Sequence, residues 1–245
     1  MNSDKKIEYI TNWIKQYANS LIFQPPSLVI GVSGGIDSAV TSTLCAKTGF
    51  KTIAISMPIK QNSSQHDLSI KHLDWLKNNF DNVQTLTIDL DKVFDSFSSL
   101  MKGFNNTLAF ANSRSRLRMI TLYQVAQAKK GIVVGTGNKV EDFGVGFYTK
   151  YGDGGVDISP IADCTKTQVW ELGKHLGVSE EIIDSQPNDG LWDDGRNDVQ
   201  QLGMSYEDLE KAMENKNDPN YQKYLKIREK NLHKMNPIPV CKFNE

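Results

Sequence analysis

The stretch Leu28-Val29-Ile30-Gly31-Val32-Ser33-Gly34-Gly35-Ile36-Asp37-Ser38 decides the fold. Its mainly apolar first half predicts a short buried strand at 28–32, and a helix is expected to open at Asp37. Between them lies a turn with paired glycines and two serine hydroxyls. Glycine lets a ligand approach the backbone closely, and the first N–H groups of the next helix have no partner within that helix. The turn is therefore a candidate phosphate-binding loop.

Asp37 indicates more closely which ligand this loop would bind. Its carboxylate would repel a phosphate unless a cation such as Mg²⁺ lies between them. An ordinary strand-to-helix turn is the alternative, since glycine and serine are common in such turns. The loop lacks the lysine and the longer spacing of a Walker A motif, and it is not G-x-G-x-x-G. It is similar to the loop of the ATP pyrophosphatases, which cleave ATP between the α and β phosphates and adenylate a substrate.

Composition limits the classes to which the chain can belong. Its 245 residues suffice for one sizeable core, and 23% charged with 39% hydrophobic residues is typical of a globular protein. The formal net charge of −1 gives no electrostatic footprint for duplex nucleic acid. Apolar runs stay well short of the ~18 residues of a membrane span. Cys45, Cys164 and Cys241 suggest neither a disulfide framework nor a zinc site. We therefore expect a cytoplasmic protein without nucleic-acid or membrane partners.

Strand-like runs alternate with helical segments after an amphipathic first helix, which is predicted by apolar residues from Ile7 to Leu21. The predicted strands are 28–32, 52–57, 83–89 and 131–136, and the predicted helices lie near 37–48, 64–80, 90–102 and 113–130. This alternation predicts an α/β fold: a doubly wound, mostly parallel sheet with helices on both faces, similar to Rossmann and adenine-nucleotide α-hydrolase folds. Ligands bind such sheets beyond the carboxyl ends of the strands, so the loops after residues 32, 57 and 135 should meet in one cleft.

The pattern changes beyond residue 140. The capping-box pair Thr165 and Gln168 announces a helix near 166–176. The polar, glycine-rich residues 184–201 predict a mobile loop. Two helices follow, and the sequence predicts that one is capped by Ser205 and that the other opens at Asp218-Pro219. We expect one domain over 1–245 with a helical C-terminal extension.

Acidic residues after the strands are candidate ligands. Glu141 ends the run Thr136-Gly137-Asn138-Lys139-Val140-Glu141, and with Asp37 it could hold Mg²⁺ from two strand ends. A solvated loop acid is the alternative. The segment Tyr148–Asp157 combines three glycines, two acids, a lysine and two tyrosines, which suits nucleotide recognition. A glycine-rich hairpin is the alternative there.

We interpret two further groups of residues, three arginines and three histidines, mainly as structural. The arginines 114, 116 and 118 follow Asn112 at the predicted start of a helix, where a solvated or salt-bridged surface is the usual arrangement and a phosphate clamp the minority one. His66, His72 and His175 lack metal-ligand spacing, so we interpret them as structural.

Taken together, these segments resemble the ammonia-dependent NAD synthetases over about residues 5–235. The matching pieces, in chain order, are Gly31–Ser38, Asn112 with Arg116–Met119, Gly135–Glu141, Phe147–Asp157, Lys166 and His233-Lys234. Among them Lys150–Asp157 is much more specific than the phosphate loop.

The resemblance implies a ligase that amidates deamido-NAD with ammonia through an adenylated carboxylate and releases AMP and pyrophosphate. It implies catalytic roles for Asp37 and Lys166, and Mg²⁺ bound by Asp37 and Glu141. The implied ATP contacts are Gly31, Val32, Ser33, Gly34, Gly35, Ile36, Asp37, Ser38, Thr136 and Lys166. The implied deamido-NAD contacts are Arg116, Lys150, Asp157, His233 and Lys234.

The resemblance also implies a homodimer, because family members build their dinucleotide sites from both subunits. Free ammonia is the expected nitrogen source, since 245 residues leave no room for a glutaminase domain.

The chain departs from the family pattern in two places. Asn188 follows Pro187 where the family usually has Ser or Thr for an ATP contact, but an amide can still donate and accept, so Asn188 stays among the ATP contacts. The usual Gln-Thr-Asp-Glu is replaced by Arg196-Asn197-Asp198-Val199, which keeps only the aspartate. Two other functions remain open: a different adenylating ligase of the same loop class, and a module that binds ATP without turning it over.

Overall fold

A four-stranded parallel sheet forms the centre of the protein. The structure is a computed structural model that describes residues 1–22, 26–61, 63–188, 191 and 197–243. The sheet has the order β3-β2-β1-β4, and its strands are β1 (Ser27–Gly31), β2 (Thr52–Ser56), β3 (Val83–Thr87) and β4 (Gly131–Val133). Each neighbouring pair runs parallel, with Val29 opposite both Ile53 and Val133. The predicted α/β fold with a parallel sheet is confirmed.

Helices precede, connect and follow these strands. In chain order they are α1 (Ser3–Ser20), α2 (Ile36–Lys47), α3 (Ser63–Asn79), α4 (Asp91–Leu100), α5 (Thr107–Ala128), α6 (Lys166–Leu176), α7 (Glu180–Ile183), α8 (Asp198–Leu202), α9 (Tyr206–Glu214) and α10 (Tyr221–Met235). No helix among these described ranges is both long and apolar enough to cross a membrane.

The alternation of side chains along β1 explains why helices cover both faces of the sheet. Leu28 and Ile30 point to one face and pack in a buried cluster with residues of α1, α2, α3 and α6. Val29 points to the other face and packs with residues of α4 and α5. Since helices cover both faces, Leu28, Val29 and Ile30 of β1 are all buried, which explains why three apolar residues follow one another there.

A third apolar cluster joins α9 and α10 to the chain that follows β4. Residues Lys139–Val145 form a π-helix, whereas the sequence predicts a loop there. Asn138 caps this turn by accepting N–H bonds from Val140 and Glu141. Gly146 ends it with φ +68°, a left-handed conformation that glycine adopts without strain. The π-helix fixes Glu141 against the helical C-terminal region.

Several predicted boundaries are wrong. The helix expected at 113–130 begins at Thr107, because the Asn106 side chain accepts from the Ala109 N–H and caps it there. Part of the expected loop at 184–201 is helix α8, which Asn197 and Gln200 close with a capping box. The last helix begins at Tyr221 rather than at Asp218-Pro219, because Asp218 accepts from the Asn220 N–H and forms a turn. Residues 189, 190 and 192–196 of the predicted loop lie outside the described residues.

The strand order places a switch point between β1 and β4. The chain leaves β1 toward β2 and β3 and then returns to the other side of β1 through β4. In open parallel sheets the ligand binds at such a point, beyond the carboxyl ends of the two strands. Asp37 follows β1 and Glu141 follows β4, so the two candidate acids flank this switch point.

His72 makes stability depend on pH. Its side chain is 2% exposed and lies 3.0 Å from the Ser42 hydroxyl, and burial lowers the pKa of His72 to about 4 from its ordinary 6.5. Below pH 6.5 the histidine of the unfolded chain binds a proton, whereas that of the folded protein stays neutral down to about pH 4. The folded state therefore loses stability as the pH is lowered from 6.5 to 4.

We expect the protonation of this histidine to lower the unfolding free energy by about 2 kcal/mol when the pH is lowered from 7 to 5. Urea unfolding at the two pH values measures the loss, and His72→Gln, which cannot titrate, should lack this part of it. The same pH dependence in both proteins would contradict the expectation.

Candidate active site

Hydrogen bonds of its serine side chains stabilise the glycine loop Gly31–Ser38, which follows β1. The Ser38 hydroxyl donates to the Gly35 carbonyl at 2.9 Å and accepts from the Ser33 N–H at 3.2 Å. Gly34 has φ +91°, which side chains rarely tolerate. Helix α2 starts behind Gly35 without a side-chain cap, so its first N–H groups face the loop. This arrangement suits an anion.

A buried lysine bridges the two candidate acids. Lys166 Nζ lies 2.5 Å from Asp37 Oδ2 and 2.9 Å from Glu141 Oε1, and the lysine side chain is 2% exposed. Lys166 is the first residue of α6, and the predicted capping box of Thr165 and Gln168 is confirmed. The cap fixes the start of α6, and it therefore fixes the backbone position from which the Lys166 side chain extends into the cleft.

Burial and charge set the protonation of this group. Burial raises the pKa of Asp37, and the nearby Lys166 opposes the rise only in part. Burial acts the same way on Glu141, but there Lys166 and a hydrogen bond from Tyr206 prevail and hold its pKa below the ordinary value. Burial would lower the pKa of Lys166, yet the two acids outweigh it and keep the ammonium charged. The cleft thus combines a fixed cation with two acids.

Two neutral residues complete this arrangement. Asn138 Nδ2 donates to Asp37 Oδ1 at 3.1 Å. The Tyr206 hydroxyl lies 2.5 Å from Glu141 Oε1 and 3.0 Å from Asp198 Oδ2. Sequence reasoning missed Tyr206, because α9 is distant in the chain and its spacing gives no sign of contact with the π-helix that carries Glu141.

The cleft at the switch point has a volume of about 230 Å³ and contains most of the predicted ATP contacts. The loops after residues 32, 57 and 135 meet there, as predicted, and contribute Val32, Met57 and Gly135. The predicted residues that line it are Gly31, Val32, Ser33, Gly35, Ile36, Asp37, Ser38, Thr136, Glu141, Lys166 and Asn188; Gly34 lies in the loop but does not line the cleft.

Acidic residues of the next segments also reach the cleft. Asp142 and Asp153 line it, and burial, followed by repulsion from Asp153 and Glu141, raises the pKa of Asp142 well above its ordinary value. Among the three arginines of α5, Arg118 lines the cleft and donates to the Met57 carbonyl at 3.0 Å. Arg114 is buried against Phe94 and donates to the Leu191 carbonyl at 2.6 Å.

Four of the five predicted deamido-NAD contacts lie together beside the cleft. Arg116 Nε donates to the Lys150 carbonyl at 3.2 Å, and Lys150 Nζ donates to the His233 carbonyl at 3.4 Å. Lys234 is the next residue after His233. Lys234 Nζ donates to the Tyr148 carbonyl at 2.7 Å, and burial lowers its pKa despite the neighbouring Asp153 and Asp142. We call Arg116, Lys150, His233 and Lys234 the basic cluster.

Asp157 lies apart from the basic cluster. Its carboxylate accepts from the Val133 N–H at 2.7 Å and from the Tyr123 hydroxyl at 3.0 Å. The exposed Asp157 therefore anchors the end of β4 to α5 as well as being available to a ligand.

The chain is similar to known proteins over most of its length. A family model described as NAD synthase matches residues 6–240. An NH(3)-dependent NAD(+) synthetase of Carboxydothermus hydrogenoformans is 36% identical over 218 residues, which cover 86% of this chain and 85% of the relative.

Two solved structures are also similar. An NMN synthetase from Francisella tularensis superposes with a TM-score of 0.90 at 30% identity, over 99% of this chain and 100% of that one. An NH3-dependent NAD synthetase from Campylobacter jejuni, in complex with the nitrate ion, has a TM-score of 0.78 at 25% identity, over 99% and 100% of the two chains. The NAD(+) synthetases are ligases, so the predicted enzyme class is confirmed. The chain belongs to the NAD synthase family.

Proposed function

We propose that this protein amidates deamido-NAD with free ammonia at the expense of ATP and forms NAD, AMP and pyrophosphate. The observation that carries the proposal is the buried Lys166 ammonium between Asp37 and Glu141, beside the glycine loop at the switch point. A triphosphate needs cationic charge and N–H donors in one place, and this cleft supplies both.

The first step activates the nicotinate carboxylate, which is a poor electrophile because its charge is delocalised and its leaving group would be oxide. A carboxylate oxygen forms a bond to the α phosphorus of ATP, the bond from that phosphorus to the bridging oxygen breaks, and pyrophosphate leaves. Positioning and neutralisation of charge do most of this work. The Gly31–Ser38 loop would hold the departing pyrophosphate while Lys166 offsets its charge.

In the second step ammonia forms a C–N bond to the acyl carbon, and the C–O bond to AMP breaks. An ammonium ion first has to lose one proton, and the attacking nitrogen loses another as the amide forms. Water must stay out of the cleft, because hydrolysis of the acyl adenylate would return the starting acid. Residues of two chain segments line the cleft where water would enter: Met57 and Gln61 of one, and Ser185, Pro187, Asn188 and Leu191 of the other.

Mg²⁺ is part of this proposal, and two features support it at Asp37 and Glu141. Both carboxylates already reach one cationic nitrogen, and hard oxygen donors are the ligands that Mg²⁺ prefers. No group of three or more acidic, histidine or cysteine side chains in the described ranges could hold a metal alone, so phosphate oxygens and water would complete the coordination. When bound, Mg²⁺ supplies charge neutralisation for the phosphates.

We also propose a homodimer, with a cytoplasmic location. Leu108 and Ile120 are 56% and 65% exposed and lie eight and four residues from Arg116 along α5, so all three share one helix face. An exposed apolar face around a residue of the basic cluster suits a subunit interface that also contributes to the dinucleotide site.

Product analysis tests the reaction. The protein is incubated with ATP, Mg²⁺, ammonium and deamido-NAD, and AMP, pyrophosphate and NAD are quantified. Equal amounts of the three products support the proposal. AMP formed only with a different acceptor indicates another adenylating ligase, and no turnover indicates a module that binds ATP.

A second acceptor is favoured by one observation: the fold superposes better on the NMN synthetase than on the Campylobacter NAD synthetase. The same chemistry on nicotinate mononucleotide would yield NMN. The ratio of kcat/KM for the two acceptors decides between them.

The basic cluster gives a prediction about the acceptor. Lys150→Met should raise KM for deamido-NAD about tenfold, because a charged contact to a phosphate or carboxylate is lost, and should leave KM for ATP within twofold. Lys51→Met is the matched control, since Lys51 is exposed and precedes β2 at the opposite end of the sheet. Equal increases in both KM values would remove Lys150 from the acceptor site.

A further inference from the structure

We propose that Tyr206 is a positioning residue for ATP-dependent adenylation, acting by orienting Glu141. The inference rests on the proposed function, because it assigns Glu141 to the nucleotide and its cation. It concerns a residue of α9, outside every segment on which the resemblance to the ammonia-dependent NAD synthetases rests.

The contacts of Glu141 lead to this inference. One carboxylate oxygen, Oε1, accepts from both Lys166 Nζ at 2.9 Å and the Tyr206 hydroxyl at 2.5 Å. Among the described residues no hydrogen bond of normal length and angle reaches the other oxygen, Oε2, although the Asn138 side chain is close enough to lower the pKa of Glu141. The carboxylate lines the cleft and the side chain is 14% exposed. Two donors on one oxygen fix the rotation of the carboxylate, which leaves Oε2 available to a cation or its water.

A comparison with Asp37 shows why the orientation of the Glu141 carboxylate is important. Both of its oxygens are already engaged, Oδ1 by Asn138 and Oδ2 by Lys166. Glu141 Oε2 is therefore the carboxylate oxygen of the pair that receives no hydrogen bond of normal geometry from the described residues. Without the Tyr206 hydroxyl, Lys166 would be the remaining donor on Oε1, and one donor restricts the rotation of the carboxylate less than two.

The surroundings of Tyr206 hold its hydroxyl in place. The side chain is 2% exposed, its ring packs edge-on against Trp170 at 6.0 Å, and Lys166 Nζ lies 4.8 Å from the ring centroid. A phenol has one hydroxyl hydrogen, and the shorter of its two contacts, 2.5 Å to Glu141 against 3.0 Å to Asp198, places that hydrogen on the side of Glu141. These contacts through the ring survive in phenylalanine, which makes Tyr206→Phe a specific deletion of the hydroxyl.

Binding of α,β-methylene-ATP, which cannot be cleaved between the α and β phosphates, tests the inference without turnover. Titration calorimetry with Mg²⁺ should show about tenfold weaker binding for Tyr206→Phe, while deamido-NAD binding stays within twofold. Tyr224→Phe is the control, since Tyr224 is buried in the same apolar cluster and has no side-chain hydrogen bond among the described residues. It should bind the analogue like the wild type.

A double-mutant cycle separates orientation of Glu141 from any other effect. In a Glu141→Ala background, which has no side-chain acceptor for the tyrosine, Tyr206→Phe should change analogue affinity less than twofold. Placing p-aminophenylalanine at position 206 restores a donor and should return affinity to within threefold of wild type, which also checks that the site still folds.

The outcomes distinguish this inference from the proposed function. A tenfold loss in both backgrounds, or wild-type affinity in Tyr206→Phe, overturns the role of Tyr206 alone. Wild-type protein that fails to bind the analogue overturns the nucleotide site and this inference together. Normal analogue binding and the expected cycle, with no amidation of deamido-NAD, overturn the assigned acceptor and leave Tyr206 in its role.

Discussion

Lys166→Met is expected to lower kcat/KM for pyrophosphate release by about 10³-fold. The ammonium is the fixed cation closest to both candidate acids, and methionine keeps the length of the side chain without its charge. The substitution also leaves Asp37 and Glu141 buried side by side with no opposite charge. Removing one partner of such a group costs about 3–5 kcal/mol, so the unfolding free energy should fall as well.

Two measurements separate the catalytic effect of Lys166 from the structural one. Lys174→Met changes an exposed lysine of the same helix and should keep activity within twofold. Added Mg²⁺ should raise the melting temperature of Lys166→Met more than that of the wild type, because a divalent cation replaces the missing charge. Activity near the wild-type level in Lys166→Met would remove the lysine from the reaction.

Asp37→Asn is expected to lower kcat for pyrophosphate release by 10²-fold or more while the protein stays folded. Both Asp37 oxygens accept hydrogen bonds, from Asn138 and Lys166. An asparagine offers one acceptor and one NH₂ group, so either orientation sets a donor against a donor. The change also removes a proposed ligand of Mg²⁺, so half-maximal activity should need more Mg²⁺.

A surface acid provides the comparison for Asp37. Asp163→Asn alters a side chain that is 97% exposed and pairs with Lys139, and it should leave turnover unchanged. Circular dichroism and melting temperature should show that Asp37→Asn is folded. Pyrophosphate release at nearly the normal rate by this variant would exclude Asp37 from the metal site.

The sequence predicts the centre of the sheet well because its central strands, β1 and β2, are buried and mainly apolar. The run at β1 is buried on both faces, so its composition alone identifies a central parallel strand. Boundaries set by single side chains are harder: Asn106 starts α5 six residues early, and the capping box of Asn197 turns part of an expected loop into α8. The expectation of one domain with a helical extension stays a prediction.

The candidate site is predictable where its residues follow strands. Asp37 and Glu141 can be paired from topology alone, since the carboxyl ends of neighbouring strands converge. The bridge by Lys166 and the contact from Tyr206 depend on how α6 and α9 pack, which local pattern does not encode. For the same reason sequence reasoning does not separate Asp157, bonded to β4, from the basic cluster.

Isotope transfer tests adenylation most directly. Deamido-NAD carrying ¹⁸O in both carboxylate oxygens is converted in the presence of ATP, Mg²⁺ and ammonium, and the AMP is examined by mass spectrometry. If the carboxylate attacks the α phosphorus, each AMP carries one ¹⁸O and pyrophosphate carries none. AMP without label, or ADP and phosphate as products, would contradict an acyl adenylate formed in the cleft between Asp37, Glu141 and Lys166.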